Sequence, residues 1–492
     1  MNFEKRKLQE MNLLGIENIS FRDSINQQKL SLRAIKNNLI VKLKRKSIIE
    51  QCKSDYNNIP KEYQIQIYKF ETSYNTIISY LKSKNNILIS YCLNQLCIYF
   101  KYNEPNIIEQ KLIIEGQFFE ILLNLGNIFL NNKNEKDLIL VIWILMNIQI
   151  YNEGNNDYLN ILYGEKYLKF YNTCFTQFGS DEIMNLIIVL LTYLIKLNDE
   201  INAIILKSEV FNSIIYYILN KEPDMDSIEN SVKLIMNCLN TNFDSELSQK
   251  EINTINDIII ILKNELFSSK NEILEKSCYD GLYIISKINN KYKFNEKIIQ
   301  EGIPLNILKK EYKNYEILKK GLKLLANILT ISDKECKIIY ENNIIDYYNN
   351  ILYIYDDDPK LVFIILSSIV NISLSKFRNI IKECIIWKSE KIEKYFNMND
   401  NIKLKFIKII KYMITNGDYN NLQFIYNTKI IEYVIYLLSS FNLNDKVVNK
   451  IIKIVNIYLN KFNDSEKENI EYHSIFNKFQ DLIKTTSNKY DS

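Results

Sequence analysis

Glycine and proline are scarce in this sequence. Its 492 residues include 10 glycines and 5 prolines, about 2% and 1% of the chain, where ordinary proteins hold about 7% and 5%. Because these two residues interrupt helices and form turns, their scarcity favours long helices joined by short polar loops. The sequence therefore predicts an all-α fold, and the chain is long enough for two or three ordinary hydrophobic cores.

Residues that commonly carry catalysis or hold cofactors are also few. His473 is the only histidine, and no two glycines lie closer than 10 residues apart, which excludes glycine-rich phosphate-binding loops. The 8 cysteines are scattered without a CxxC pair, which favours reduced core residues over zinc ligands. We therefore predict a protein that is not an enzyme and needs no metal or cofactor.

Charge and hydropathy restrict the partners. Lys and Arg number 62 against 58 acidic residues, a net charge of +4, which is too small to indicate nucleic-acid binding by itself. The first 20 residues lack the apolar stretch of a secretory signal. The apolar run 138–146 is much shorter than the roughly 18–20 residues that cross a membrane. We expect a protein of the cytoplasm and nucleus that binds neither membrane nor nucleic acid directly.

One position recurs at a regular interval inside strongly apolar segments. It is occupied by asparagine in five cases and otherwise by tyrosine or lysine, at Asn147, Tyr193, Asn237, Tyr283, Asn327, Asn371, Lys411 and Asn456. Successive members are 40 to 46 residues apart, the period of armadillo and HEAT repeats. An unrelated series of helices would not keep this register through seven steps.

A second series supports the same period. Here two apolar residues, a small or polar residue and two more apolar residues recur around Gly116, Ser208, Gly302, Asn343, Cys384 and Thr428. Such a pattern predicts the end of one helix and the start of the next, although no clear mark lies between Ser208 and Gly302. We predict a right-handed superhelical solenoid of about nine to ten armadillo repeats over residues 60–480.

Stacked repeats would bring the asparagine positions into one inner groove. An asparagine amide holds a donor and an acceptor at its tip, which suits it to the main chain of an extended peptide. The alternative is that each asparagine satisfies a neighbouring part of the protein. Because five of them share one register, we favour the ligand interpretation.

Trp143 lies four residues before Asn147, so both side chains share a helix face. At this period the pair resembles the importin-α family, whose groove binds basic nuclear localisation signals with a ladder of tryptophans and asparagines. Tyr283 and Lys323 also match substitutions known in central repeats of that family. The resemblance implies a peptide site formed by Trp143, Asn147, Asn237, Tyr283, Asn327 and Asn371.

The groove departs from the family pattern at the positions four residues before the recurring one. They hold a single tryptophan, in the order Trp143, Val189, Lys233, Tyr279, Lys323, Ser367, Ile407 and Ile452. Lys233 would repel a basic peptide. The other tryptophan, Trp387, lies outside this series, and we expect it to serve packing.

The N-terminal residues 1–55 form a basic segment. They resemble the importin-β-binding helix of the family through two short basic runs, carried by Arg33, Lys36, Lys44, Arg45 and Lys46. From the residues alone, we expect a helix of some twenty residues here, with aliphatic residues and charge on much of its surface, and a solvated basic face or a membrane-surface helix is the alternative. Residues 481–492 form a polar tail.

The resemblance implies a nuclear import adaptor. Its partners would be basic nuclear localisation signal cargo, importin-β and a nuclear export receptor. The alternative is an armadillo scaffold outside transport, acting as a protein-interaction module whose basic N-terminus touches membrane. A HEAT-like regulatory subunit fits less well, because such helices more often show Asp and Arg at fixed loop positions.

Overall fold

A computed structural model of the chain describes residues 60, 64–65, 67, 69–103, 105–151, 160–178, 180–195, 199–221, 223–240, 246–269, 271–288, 290–310, 314–330, 332–431, 434, 450–455 and 457–458. The basic segment 1–55, the tail 481–492, His473 and Asn456 lie outside the described residues. The chain divides into two compact units, Met1–Asp244 and Ser245–Ser492. Each unit is described by itself below.

Unit 1 consists of helices in its described part. They are α1 (Phe70–Leu81), α2 (Asn86–Tyr102), α3 (Ile107–Glu115), α4 (Phe118–Asn131), α5 (Glu135–Tyr151), α6 (Glu165–Gln177), α7 (Asp181–Ile195), α8 (Asp199–Lys207), α9 (Glu209–Asn220) and α10 (Met225–Leu239).

Unit 2 is helical in the same way. Its helices are α11 (Gln249–Ser268), α12 (Glu272–Lys287), α13 (Phe294–Gln300), α14 (Ile303–Lys309), α15 (Tyr315–Ile328), α16 (Asp333–Tyr340), α17 (Ile344–Ile354), α18 (Pro359–Leu374), α19 (Ser389–Asn397), α20 (Asp400–Asn416) and α21 (Tyr419–Asn427). Short 3₁₀ helices at Asn290–Tyr292, Arg378–Glu383 and Ile385–Trp387 complete the elements.

Polar residues in the loops start many of these helices. The Asn106 side chain accepts hydrogen bonds from amides in the first turn of α3, and the Glu109 carboxylate accepts a hydrogen bond from the Asn106 backbone amide. This is the capping-box arrangement. Asp358 caps α18 by accepting from the amides of Lys360 and Leu361 at 2.8 and 3.2 Å, with Pro359 at the first helical position. Such caps satisfy amides that a helix leaves unpaired at its start.

The second recurring series marks helix breaks, as predicted. Ser208 separates α8 from α9, Gly302 separates α13 from α14, and Asn343 separates α16 from α17. Gly302 and Asn343 have positive φ angles of 74° and 57°, a region open to glycine and tolerated by asparagine. The sequence shows no helix break of this kind between Ser208 and Gly302, because α11 runs unbroken for 20 residues there.

One helix of each repeat packs against its counterpart in the next repeat. In unit 1 these helices are α2, α5, α7 and α10, and each contacts the following one. In unit 2 they are α12, α15, α18 and α20, again in contact in this order. We call these eight the row helices. The remaining helices pack against them, as α4 does against α5 and α11 against α12.

The row helices form the centre of the core. Every residue of α7 from 183 to 193 is buried. The cysteines of the described residues are free and buried, as the sequence predicted for them, while Cys52 lies outside this part. Trp387 packs against the Phe406 and Phe424 rings and donates from its Nε1 to the carbonyl oxygen of Ile381 at 2.7 Å, which confirms its packing role.

No single helix in the described ranges has both the length and the apolar character to cross a membrane. Only the pair Ile107–Glu115 and Phe118–Asn131, bent by 56°, reaches the required composition when its two helices are taken together.

Gly126 on α4 permits the close approach of α6. A Cβ atom at this position would lie 2.6 Å from the ring of Phe170. We predict that Gly126→Ala lowers the free energy of unfolding by about 1–3 kcal/mol, because overpacking of the α4–α6 contact exceeds the gain in helix propensity. Urea unfolding followed by circular dichroism measures the change. Asn127→Ala, at the exposed neighbouring position, serves as control, and equal stability of both variants would contradict the prediction.

Candidate functional site

All six residues predicted to bind peptide lie on row helices. Trp143 and Asn147 are on α5 and Asn237 is on α10, all in unit 1. Tyr283, Asn327 and Asn371 are on α12, α15 and α18 of unit 2. The period found in the sequence therefore selects one equivalent helix in each repeat.

The side of α18 that its neighbours leave uncovered is a narrow stripe. On α18, the residues beyond Pro359 that are not buried are Lys360, Phe363, Ser367, Asn371 and Leu374. Spacings of three and four residues place them on one face. Asn371 thus lies at the surface that a ligand would contact.

Two of the predicted asparagines bind the preceding row helix. The Nδ2 group of Asn327 donates to the Ser286 hydroxyl at 2.6 Å, and that of Asn371 donates to the carbonyl oxygen of Ala326 at 2.8 Å. Both Asn327 and Asn371 therefore hydrogen-bond to a neighbouring part of the protein, which is the alternative considered from the sequence. A carboxamide offers two N–H donors and an acceptor oxygen, so one such bond leaves capacity for a ligand.

The unit 1 positions differ in their access to solvent. Asn147 is only 4% exposed, whereas Trp143 and Asn237 are half-buried. Among the described residues, no hydrogen-bond partner exists for the Nδ2 atoms of Asn147 and Asn237. Trp143 and Asn237 therefore offer the contact area in this unit, although the Nδ2 atoms of both Asn147 and Asn237 lie beneath the surface.

The row helices of the two units carry opposite charge. In unit 1 they hold the carboxylates Glu135, Asp137, Asp181, Glu182, Asp226 and Glu229 and the lysines Lys101, Lys136 and Lys233. In unit 2 they hold the lysines Lys276, Lys287, Lys319, Lys320, Lys323, Lys360, Lys403, Lys405, Lys408 and Lys411 and the carboxylates Glu272, Glu275, Asp280, Glu316 and Asp400. The near-zero net charge of the whole chain hides this difference, and it becomes visible once the row helices are known.

Lys233, expected to repel a basic ligand, is paired. Its Nζ lies 2.6 Å from the Glu229 carboxylate one turn earlier on α10, and both side chains are about one quarter exposed. The ion pair neutralises Glu229, two helical turns before Asn237, as well as the lysine itself. The positive charge that α10 presents to a ligand therefore depends on whether Lys233 stays paired with Glu229.

Within the described part of the chain, no three His, Cys, Asp or Glu side chains cluster as a metal site would require. Burial raises the pKa of the Cys92 thiol to about 12 and holds the pKa of the Cys238 thiol well above its ordinary value. At neutral pH these sulfurs stay protonated and are weak nucleophiles.

The stacked three-helix repeats and the row helices define an armadillo solenoid, a fold of binding surfaces built from repeats. A solved engineered protein aligns with 83% of this chain and 98% of its own, with a TM-score of 0.56 and 14% identity. A structure from a study of a phosphorylation switch in the cadherin–β-catenin interaction aligns with 84% of this chain and 77% of its own, with a TM-score of 0.59 and 10% identity.

A designed armadillo repeat protein in complex with the peptide (KR)4 aligns with 51% of this chain and 98% of its own, with a TM-score of 0.40 and 15% identity. No protein-family model and no curated protein matches the sequence. The two alignments with TM-scores of 0.56 and 0.59 support the armadillo fold that the sequence period predicts.

The bond from Asn371 to α15 predicts a structural contribution separate from ligand binding. Asn371→Ala should lower the free energy of unfolding by about 1–2 kcal/mol, because the interhelical hydrogen bond is lost. Ser367→Ala is the matched control, since the Ser367 hydroxyl lies on the same stripe and bonds only to the carbonyl oxygen of Phe363 in its own helix. Urea denaturation compares the two, and an unchanged Asn371→Ala variant would argue against this contribution.

Proposed function

We propose that this protein is an armadillo scaffold that binds an extended basic segment of a partner protein along the row helices of unit 1. One observation carries the proposal: a half-buried tryptophan and an asparagine occupy equivalent stripes on helices where carboxylates outnumber lysines two to one. The indole face of Trp143 attracts ammonium and guanidinium groups, the apolar stems of lysine and arginine can pack on it, and the Asn237 amide suits a peptide main chain.

The carboxylates of this site lie mainly at helix starts. Glu135 and Asp137 begin α5, Asp181 and Glu182 begin α7, and Asp226 lies in the first turn of α10. Carboxylates there stabilise their own helices through the helix dipole, and they also give one edge of the stack a negative potential. A basic peptide that crosses the stack would meet this potential in successive repeats.

In its more specific form, the proposal is a nuclear import adaptor. The basic segment of the partner would be a nuclear localisation signal. Arg33, Lys36, Lys44, Arg45 and Lys46 would bind importin-β, a nuclear export receptor would return the adaptor, and the protein would shuttle between cytoplasm and nucleus. This form draws on the resemblance of the Trp143–Asn147 pair and of the N-terminal basic runs to importin-α.

Lys233 provides a direct test of the basic-peptide site. We predict that Lys233→Gln strengthens binding of a fluorescein-labelled Lys-Arg repeat peptide about threefold at low salt, because it removes a repulsive charge and releases Glu229. Fluorescence anisotropy gives the dissociation constants.

Lys166→Gln is the matched control, since this exposed lysine lies on α6, away from the row helices, and makes the same charge change. Equal effects of both substitutions would show that only net charge matters. Failure of the unmodified protein to bind the peptide would refute the proposal.

The adaptor form has its own test. We predict that a variant lacking residues 1–50 no longer captures purified importin-β, because the basic runs have been removed, while it still binds the Lys-Arg peptide. A pull-down with purified components measures capture. Retained capture would exclude the N-terminal binding site and leave a scaffold outside nuclear import.

A further inference from the structure

Lysine dominates the row helices of unit 2. The helices α12, α15, α18 and α20 together carry ten lysines and five carboxylates, and they contain no arginine. The surface defined by their uncovered stripes is called the lysine face below. The lysine face lies on different helices from the basic-peptide site of unit 1. The inference about it therefore does not depend on the function proposed for unit 1.

Lys323, at the middle of α15, lacks an ion-pair partner within the described residues. The nearby carboxylates are already engaged, because Asp280 is bound by Lys320 and Glu316 by Lys319, the latter at 3.0 Å. Lys323 is half-buried. Burial and the adjacent Lys320 and Lys319 lower its pKa, which indicates an ammonium group that its surroundings do not compensate.

Aromatic rings lie beneath several of the other lysines. The Nζ atom of Lys405 lies 5.1 Å from the centre of the Phe363 ring on the neighbouring α18, and that of Lys287 lies 4.0 Å from the Tyr283 ring. Such cation–π contacts hold the charges near the surface without neutralising them. The lysine face therefore keeps a positive potential across successive helices.

Main-chain recognition groups accompany the charges. Asn327 follows Lys323 by one helical turn, and Asn371 occupies the stripe of α18 beside Phe363. Both side chains are half-buried and are held in place by their bonds to the preceding row helix. Fixed amides spaced by one repeat, with Lys323 one turn from the first of them, suit a ligand that presents carboxylates along an extended main chain.

We propose that the lysine face binds an extended acidic segment of a partner protein, with Lys323 as the central anchor for a carboxylate. A bound carboxylate would pair with Lys323, the lysine of α15 for which the described residues supply no ion-pair partner, and Lys411, exposed on α20, would engage the same segment further along.

The charge on the ligand is carried by carboxylates of a peptide rather than by nucleic-acid phosphates. Phosphate recognition favours the bidentate guanidinium of arginine, which is missing from all four helices. The aromatic rings of the face already lie against lysines, whereas single-stranded nucleic acids need open rings on which bases can stack.

The test uses the full chain and a fluorescein-labelled peptide of repeated Glu-Gly pairs. Fluorescence anisotropy at low salt should show binding that weakens as salt is added. The double substitution Lys323→Gln and Lys411→Gln should weaken the affinity about fivefold, because two charge contacts are lost. Lys411→Gln alone should weaken it about twofold, and this exposed substitution preserves the test if the double variant fails to fold.

The matched control is the double substitution Lys309→Gln and Lys334→Gln. Both lysines are exposed on α14 and α16, outside the row helices, and the change in net charge is the same. An unchanged affinity for this variant supports the lysine face, whereas an equal loss in both double variants would overturn it.

Two further results separate the ligand classes. A Gln-Gly repeat peptide should not bind, and binding equal to that of the Glu-Gly peptide would contradict the role of the carboxylates. A single-stranded oligonucleotide could instead bind more tightly than the acidic peptide and lose affinity in the double variant of Lys323 and Lys411. This result would assign the face to nucleic acid and overturn the proposal. The Lys233 variant should bind the Glu-Gly peptide normally, so failure here is distinct from failure of the unit 1 site.

Discussion

The burial of the row helices against one another within each unit is the constraint on which the structure depends. Residues 183–193 of α7 are buried on every side, so this segment would expose a continuous apolar surface if its repeat stood alone. Neighbouring repeats must therefore supply the cover, and they do so in register. What remains accessible differs between row helices: a narrow stripe on α18, pairs of adjacent residues on α15, and no residue between 183 and 193 of α7.

Asparagine has three separate roles in this architecture. In the loops it caps helices, as Asn106 does for α3. Within the core it joins row helices, as in the buried bond from Asn230 to Asn185 at 3.0 Å, and such a polar pair favours one register because a shifted register would leave both amides unsatisfied. On the stripes, Asn327 and Asn371 combine an interhelical bond with exposure. Structure and recognition therefore use the same residue type.

Opposite charge on the two sets of row helices gives the two units surfaces of different electrostatic character. The carboxylates of unit 1 lie chiefly at helix starts, where the helix dipole favours them, while the lysines of unit 2 follow the stripes of α15 and α20. A net charge of +4 averages over these surfaces. Ligand preference in such a solenoid follows from the charge of the exposed stripe and not from that of the chain.

The sequence by itself determined the helical class, the repeat period, the helix breaks at Gly302 and Asn343 and the helices that carry the recurring asparagines, because these features depend on local propensity and spacing. Only the tertiary structure decided that Asn147 is buried, that Asn327 and Asn371 bond to the preceding helix, and that Lys233 is paired while Lys323 has no ion-pair partner among the described residues. Helical periodicity shows which side chains share a face, but coverage and pairing depend on the neighbouring helix, whose register one segment alone does not encode.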